Sequence, residues 1–190
     1  NKVTSRGTVV HADYAEYFEW LDGNTQSEDR IGRVVTLEGD KIRFANDGDD
    51  IVGIVTGTAM VLGDNAAHEW KDKYLTDNYG RIIYEEVEEF AEYFDYELGV
   101  TVRESTGFAK HPILNPMYDD EQEYVNRESR PEWDAVGILG KLHVNDDGTC
   151  VVGGYAKVNH DGIVTASVER TNMRVMKRIT DTIILVLLKG

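Results

Sequence analysis

The residues best suited to chemistry cluster near the start of the chain. His11-Ala12-Asp13-Tyr14-Ala15-Glu16-Tyr17-Phe18-Glu19-Trp20 holds three carboxylates and four aromatic rings within ten positions. Asp13 and Glu16 are three apart, so a helical turn would set them on one face. Two carboxyls in a partly dry site separate their pKa values, and one can then serve as acid while the other serves as base. Glu19 is the reserve for either role. The same string also fits a surface strand or turn, with exposed acids between buried Tyr and Phe.

Other chemistries find less support. The five histidines, His11, His68, His111, His143 and His160, show no metal-ligand spacing and no HExxH, so no metal site is expected. No GxSxG nucleophile elbow, Walker loop or GxGxxG occurs. Cys150 follows a turn and reads as a buried structural thiol. Basic residues gather at Arg30/Arg33/Lys41/Arg43 and at Arg127/Arg130/Lys141, where ion-pairing within an acidic chain is the simpler reading.

The elements that must position these residues are mostly strands. Turn signals recur at Asp22-Gly23-Asn24, Glu38-Gly39-Asp40, Asn46-Asp47-Gly48, Gly63-Asp64-Asn65, Asn145-Asp146-Asp147-Gly148 and His160-Asp161-Gly162. Between them, residues 33–37, 42–45, 51–58, 135–139 and 150–158 are rich in β-formers and read as antiparallel hairpins. Two helices are expected. One carries Ala66, Trp70 and Tyr74 behind an Asp64 or Asn65 cap, and one carries Val87, Phe90, Ala91 and Phe94 at i, i+3, i+4, i+7. Residues 109–132 hold all three prolines and read as a long irregular loop. The run Ile183 to Leu188 is apolar on both faces as a strand and is expected to be covered on both sides, by this domain or by a neighbouring subunit. The fold class is therefore mainly β with a few short helices, in a single domain over residues 1–190.

Composition narrows the partners. The formal net charge is −15 and the pI is near 4.7. Phosphate binding needs a basic surface, so nucleic acid is not an expected partner, and neither is an anionic membrane. The longest apolar run is far short of the roughly 20 residues of a membrane helix. One cysteine excludes an internal disulfide and fits a reducing compartment.

Several strings together resemble one family. They are Ala12-Asp13-Tyr14-Ala15-Glu16-Tyr17-Phe18-Glu19-Trp20 with Asp22-Gly23-Asn24; Glu28-Asp29-Arg30-Ile31-Gly32; Val35-Thr36-Leu37-Glu38-Gly39-Asp40-Lys41-Ile42-Arg43; Gly53-Ile54-Val55-Thr56-Gly57; Lys73-Tyr74-Leu75-Thr76-Asp77; and Arg130-Pro131-Glu132-Trp133 with Val136-Gly137-Ile138-Leu139-Gly140-Lys141-Leu142 and Asp146-Asp147-Gly148-Thr149-Cys150. In this order they resemble the glutamic-type intramolecular-chaperone autocleavage domain of Bacillus-phage pre-neck appendage and tail-spike proteins. His11 departs from the small residue expected before Ala12, and it is given no role.

The resemblance implies a C-terminal domain that brings three chains together and then cuts itself off in a single-turnover, carboxylate-type autoproteolysis. Asp13 and Glu16 would be catalytic and the cut would fall just before Asn1, so that residues 1–11 follow the cleavage site. Cleavage would need no cofactor. ATP is implied as a release ligand, with Lys41, Arg43, Arg127 and Arg130 as the phosphate candidates. The partners would be the homotrimer and the upstream spike chain. The setting would be the host cytoplasm during assembly, with the cut domain absent from the mature virion. Two rival functions are a non-enzymatic trimerisation or capping module and a carbohydrate-binding β domain.

Overall fold

The computed structural model describes residues 13–64, 70, 73–119 and 121–190. The chain divides into two compact units, residues 1–67 with 125–190, and residues 68–124. Asn1, His11, Asn65, Ala66 and His68 lie outside the described residues.

In the first unit, alternating apolar runs close into one ten-stranded sheet. Its strands are β1 (Asp13–Glu19), β2 (Val34–Glu38), β3 (Lys41–Phe44), β4 (Gly53–Val55), β5 (Val61–Gly63), β8 (Trp133–Asn145), β9 (Tyr155–Val158), β10 (Val164–Ser167), β11 (Met173–Arg178) and β12 (Ile183–Leu188). The order is β10-β9-β11-β12-β8-β4-β2-β3, and β1 pairs antiparallel with β8 and parallel with β5. The expected turn at Gly39 is a two-residue loop with φ +67° at its first position, where a Cβ would be strained.

The thirteen residues of β8 organise the sheet, pairing with β1, β4 and β12. A bulge in the β1–β8 ladder falls between Tyr14 and Ala15. β4 approaches β8 so closely that a Cβ on Gly53 would stand 2.4 Å from the Gly137 carbonyl oxygen, so only glycine fits there. Two apolar clusters result. The larger includes Val34, Ile54, Leu142, Val144, Ile184, Val186 and Leu188. The smaller gathers Trp20, Val35, Ile42, Val55 and Val136.

The C-terminal run is an interior strand, but its burial alternates. Ile184, Val186 and Leu188 are buried, whereas Ile183, Leu185 and Leu187 stay partly exposed. Of the two covers expected, this domain supplies one: its side chains cover one face of the strand, and hydrogen bonding to β11 and β8 covers both edges.

The second unit holds a two-stranded ribbon, β6 (Tyr84–Asp95) against β7 (Val100–Pro112). The helix expected through Val87, Phe90, Ala91 and Phe94 is instead β6. Phe90 and Phe94 occupy one face of the ribbon, and Val87 and Ala91 the other, so no alternation marks it in the sequence. Gly99 at φ +70° turns the chain back on itself. The other expected helix does not form at its described positions either: Trp70 is irregular and Tyr74 makes an isolated bridge to Leu114. Residues 109–112 complete β7, and 127–129 form a 3₁₀ turn, the one helical element among the described residues.

Candidate active site

β1 decides the geometry of the carboxylate cluster. Its side chains alternate, with Asp13, Ala15 and Tyr17 buried and Tyr14, Glu16 and Phe18 half-buried. The helical turn that would set Asp13 and Glu16 on one face does not form; as strand residues three apart they point to opposite faces. The mismatch arises because Tyr, Phe and Trp favour a strand here, and β8 and β5 hold both of its edges.

Asp13 is only 2% exposed. Its Oδ2 accepts a hydrogen bond from the Thr56 hydroxyl at 2.9 Å, while the equally buried Oδ1 has no hydrogen-bond partner among the described residues. Burying a carboxylate oxygen without a partner is costly, and such an atom in a native fold calls for an explanation. An apolar trough of about 680 Å³ opens beside it, lined by Tyr14, Met60, Val61, Leu139 and Leu187 among others.

Glu16 accepts a short hydrogen bond from the Tyr14 phenol. That bond, with some desolvation and the carboxylate charge, raises the Tyr14 hydroxyl above the usual phenol range. Gly63 on β5 makes room for the pair, since a Cβ there would lie 2.9 Å from Glu16 Cγ and 3.0 Å from the Tyr14 oxygen. Glu19 is held by Lys41 at 2.6 Å.

Thr56 and Tyr14 are the neighbours of the candidate carboxylates that sequence reasoning missed. Thr56 had a signal, since it stands in the Gly53–Gly57 string that carried the resemblance; its link to Asp13 spans 43 residues and left no local trace. Asp134 was also missed. Burial raises its pKa, against the opposing pull of the Trp20 indole N–H at 2.7 Å and of Arg30. It stands opposite Phe18, whereas Asp13 stands opposite Gly140. Cys150 is buried, and desolvation pushes its thiol up to about 12, so it is no nucleophile at neutral pH.

The four phosphate candidates all have acidic partners. Lys41 pairs with Glu19, Arg43 with Glu38 at 2.9 Å and Asp49 at 2.8 Å, Arg127 with Asp64 at 2.6 Å, and Arg130 with Glu132 at 3.4 Å. Arg127 also lies 4.0 Å over the Trp133 ring. The ion-pairing reading of the basic clusters thus holds for these four, whereas Arg33 and Lys141 are in no ion pair among the described residues and Arg33 donates to the Asp161 carbonyl oxygen. No helix among the described residues is long and apolar enough to cross a membrane.

Comparison with known families assigns residues 1–183 to the Peptidase_G2 family, described as the IMC autoproteolytic cleavage domain. The chain belongs to this family. The domain is 37% identical over 164 residues to the pre-neck appendage protein of Bacillus phage B103, covering 86% of the chain and 17% of that protein. It is 35% identical over 182 residues to the putative phage-related protein YobO of Bacillus subtilis, covering 93% of the chain and 21% of the relative. The chain thus spans about a fifth of the length of these relatives. Among solved structures, the C-terminal fragment of bacteriophage phi29 gene product 12 superposes with a TM-score of 0.69 at 33% identity, covering 93% of the chain and all of the fragment. Pre-mature phi29 gene product 12 superposes with a TM-score of 0.73 at 31% identity, covering 99% of the chain and 23% of the other. The family expected from the sequence is the family found, and the domain is an autoproteolytic cleavage domain.

Proposed function

We propose that the domain is the C-terminal intramolecular chaperone of a phage appendage or tail-spike protein. It promotes homotrimerisation in the host cytoplasm and is then released by a cut just before Asn1. The family match over residues 1–183 carries this reading. ATP would act at release and not in the cleavage step.

In the proposed reaction water adds to the carbonyl carbon of the residue preceding Asn1, the C–N bond breaks, and the Asn1 amine takes up a proton. Asp13 is the base. Thr56 fixes one carboxylate oxygen, and the other, buried and without a partner among the described residues, accepts the proton from water. Glu16 is the acid of the pair: it enters the step as the neutral carboxylic acid, still accepting from Tyr14, and gives its own proton to the leaving amine. Because the two carboxyls face opposite sides of β1, the reading that fits best is a site completed between copies, which would tie cutting to assembly.

The test is a longer precursor followed by gel and mass spectrometry. The wild type should cut without added protease. Asp13→Asn and Glu16→Gln should each slow the cut on the order of 100- to 10,000-fold while leaving the assembly intact. Co-expressing the two variants should restore some product if the carboxyls act across copies. Trimeric single variants that cut at the wild-type rate would make both residues structural.

A further inference from the structure

The chain carries two exposed surfaces of opposite charge, each with uncovered apolar side chains. The first is the outer face of β8, β12 and β11. Register places Lys141 beside Leu187 and Leu187 beside Arg174; one row along, His143 stands beside Leu185 and Leu185 beside Lys177. Leu139 continues the face and is 52% exposed. Over residues 139–145 of β8 and the positions of β12 and β11 paired in turn, no carboxylate shares this face; Asp134 lies on it further back along β8. None of the four basic groups is in an ion pair among the described residues, and Arg174 lies 4.6 Å over the Tyr155 ring. In a chain of net charge −15 such a face is an anomaly.

The second surface is on the β6–β7 ribbon. Residues 84–112 hold eight Asp and Glu against two Lys and Arg. Both of those cations, Arg103 and Lys110, share a face with Glu86, Glu88, Phe90 and Glu92. The opposite face has no Lys or Arg, and its one imidazole, His111, holds Glu89 at 2.9 Å. It carries Glu85, Glu89 and Glu104 around Val87, Tyr93 and Val100, all three of which are well exposed. A two-stranded ribbon is marginal without a partner for an apolar face. At about 3.3 Å per residue it is roughly 40 Å long, ample to cross three strands.

We infer that the Glu85–Glu89–Glu104 face of the ribbon in one copy docks on the Lys141–Arg174–Lys177 face of the sheet in a second copy. Leucines meet Val87, Tyr93 and Val100, and acids meet bases around them. The inference rests on the self-association proposed above and names the surfaces that carry it.

Sedimentation velocity of the 190-residue chain over a concentration series tests it. The wild type should associate. Like charges across an interface are strongly unfavourable, so Lys141→Glu with Lys177→Glu should weaken association by roughly a hundredfold. Glu89→Lys with Glu104→Lys should do the same, and all four changes together should restore it. Glu88→Lys with Glu92→Lys, on the other face of the ribbon, should leave it as in the wild type. A second measurement avoids substitutions: carbodiimide coupling of mixed ¹⁵N-labelled and unlabelled wild-type chains should join Lys141 or Lys177 to Glu89 or Glu104 between copies. Links only within one copy would overturn the inference. So would an associating wild type indifferent to both reversals, with self-association left standing. A wild type that stays single throughout removes both.

Discussion

The ten-stranded sheet and the ribbon are both built from β-forming sequence but are held by different forces. The sheet encloses side chains such as Ile54, Leu142 and Ile184 that are at most 1% exposed. The ribbon has no buried residue in either strand. Backbone pairing gives a segment its shape, while removal of apolar surface from water gives it stability. One region therefore carries a core of its own, and the other does not.

The sharpest way to break this contrast is to empty part of the core. Leu142→Ala should destabilise the sheet by about 2–5 kcal/mol, whereas Phe108→Ala in the ribbon should fall within about 0.5 kcal/mol. Denaturant unfolding by fluorescence and far-UV dichroism checks both, and hydrogen exchange should show slow amides in β8 and β12 and fast ones in β6 and β7. Equal losses at the two sites would end the distinction.

A smaller effect is expected at Arg30. Its guanidinium is 5% exposed, lies 4.3 Å over Trp20 and grips Asp22 through two hydrogen bonds of 2.9 and 2.7 Å. Arg30→Lys keeps the charge but loses the fork and the stacking, so it should cost about 1–2 kcal/mol. A neutral outcome would mean that the core alone holds this corner of the sheet.

The smallest effect is on pH dependence. Arg30 holds the Asp22 carboxyl below its ordinary value of 3.8, and Arg43 does the same for Asp49. A depressed folded-state pKa adds stability that is present above the unfolded value and is lost as pH falls through the folded one. Melting temperature should therefore drop modestly below about pH 4, and Asp22→Asn should flatten part of that drop. Solvent exposure of both carboxyls keeps the effect small.

The same contrast explains what the sequence made legible. Residues 33–37 and 42–45 are rich in β-formers and bounded by turn signals, so both were readable as strands, although Val34, Val35 and Thr36 are buried in a row because β2 meets an apolar cluster on each face. β6 has aromatics on both faces, so its spacing mimicked a helical stripe. The pairing of β1 with β8 could not be read, because nothing local in Asp13–Glu19 reports a partner more than a hundred residues away. For that reason the cluster was legible as chemistry while its geometry, with Asp13 facing Thr56 and Glu16 facing Tyr14, was not. The apolar tail was readable as a strand, and its own domain covers one face of it.

The pairing of β1 with β8 also works as a clock. The Trp20 indole binds Asp134, 114 residues further on, and Asp13 needs the strand that holds Gly140. Synthesis at roughly 5–20 residues per second separates the two by on the order of ten seconds. During that interval β1 has no antiparallel neighbour and Asp13 no finished surroundings. Whatever lies upstream has that long to arrange itself on the ribosome before the carboxylates are assembled.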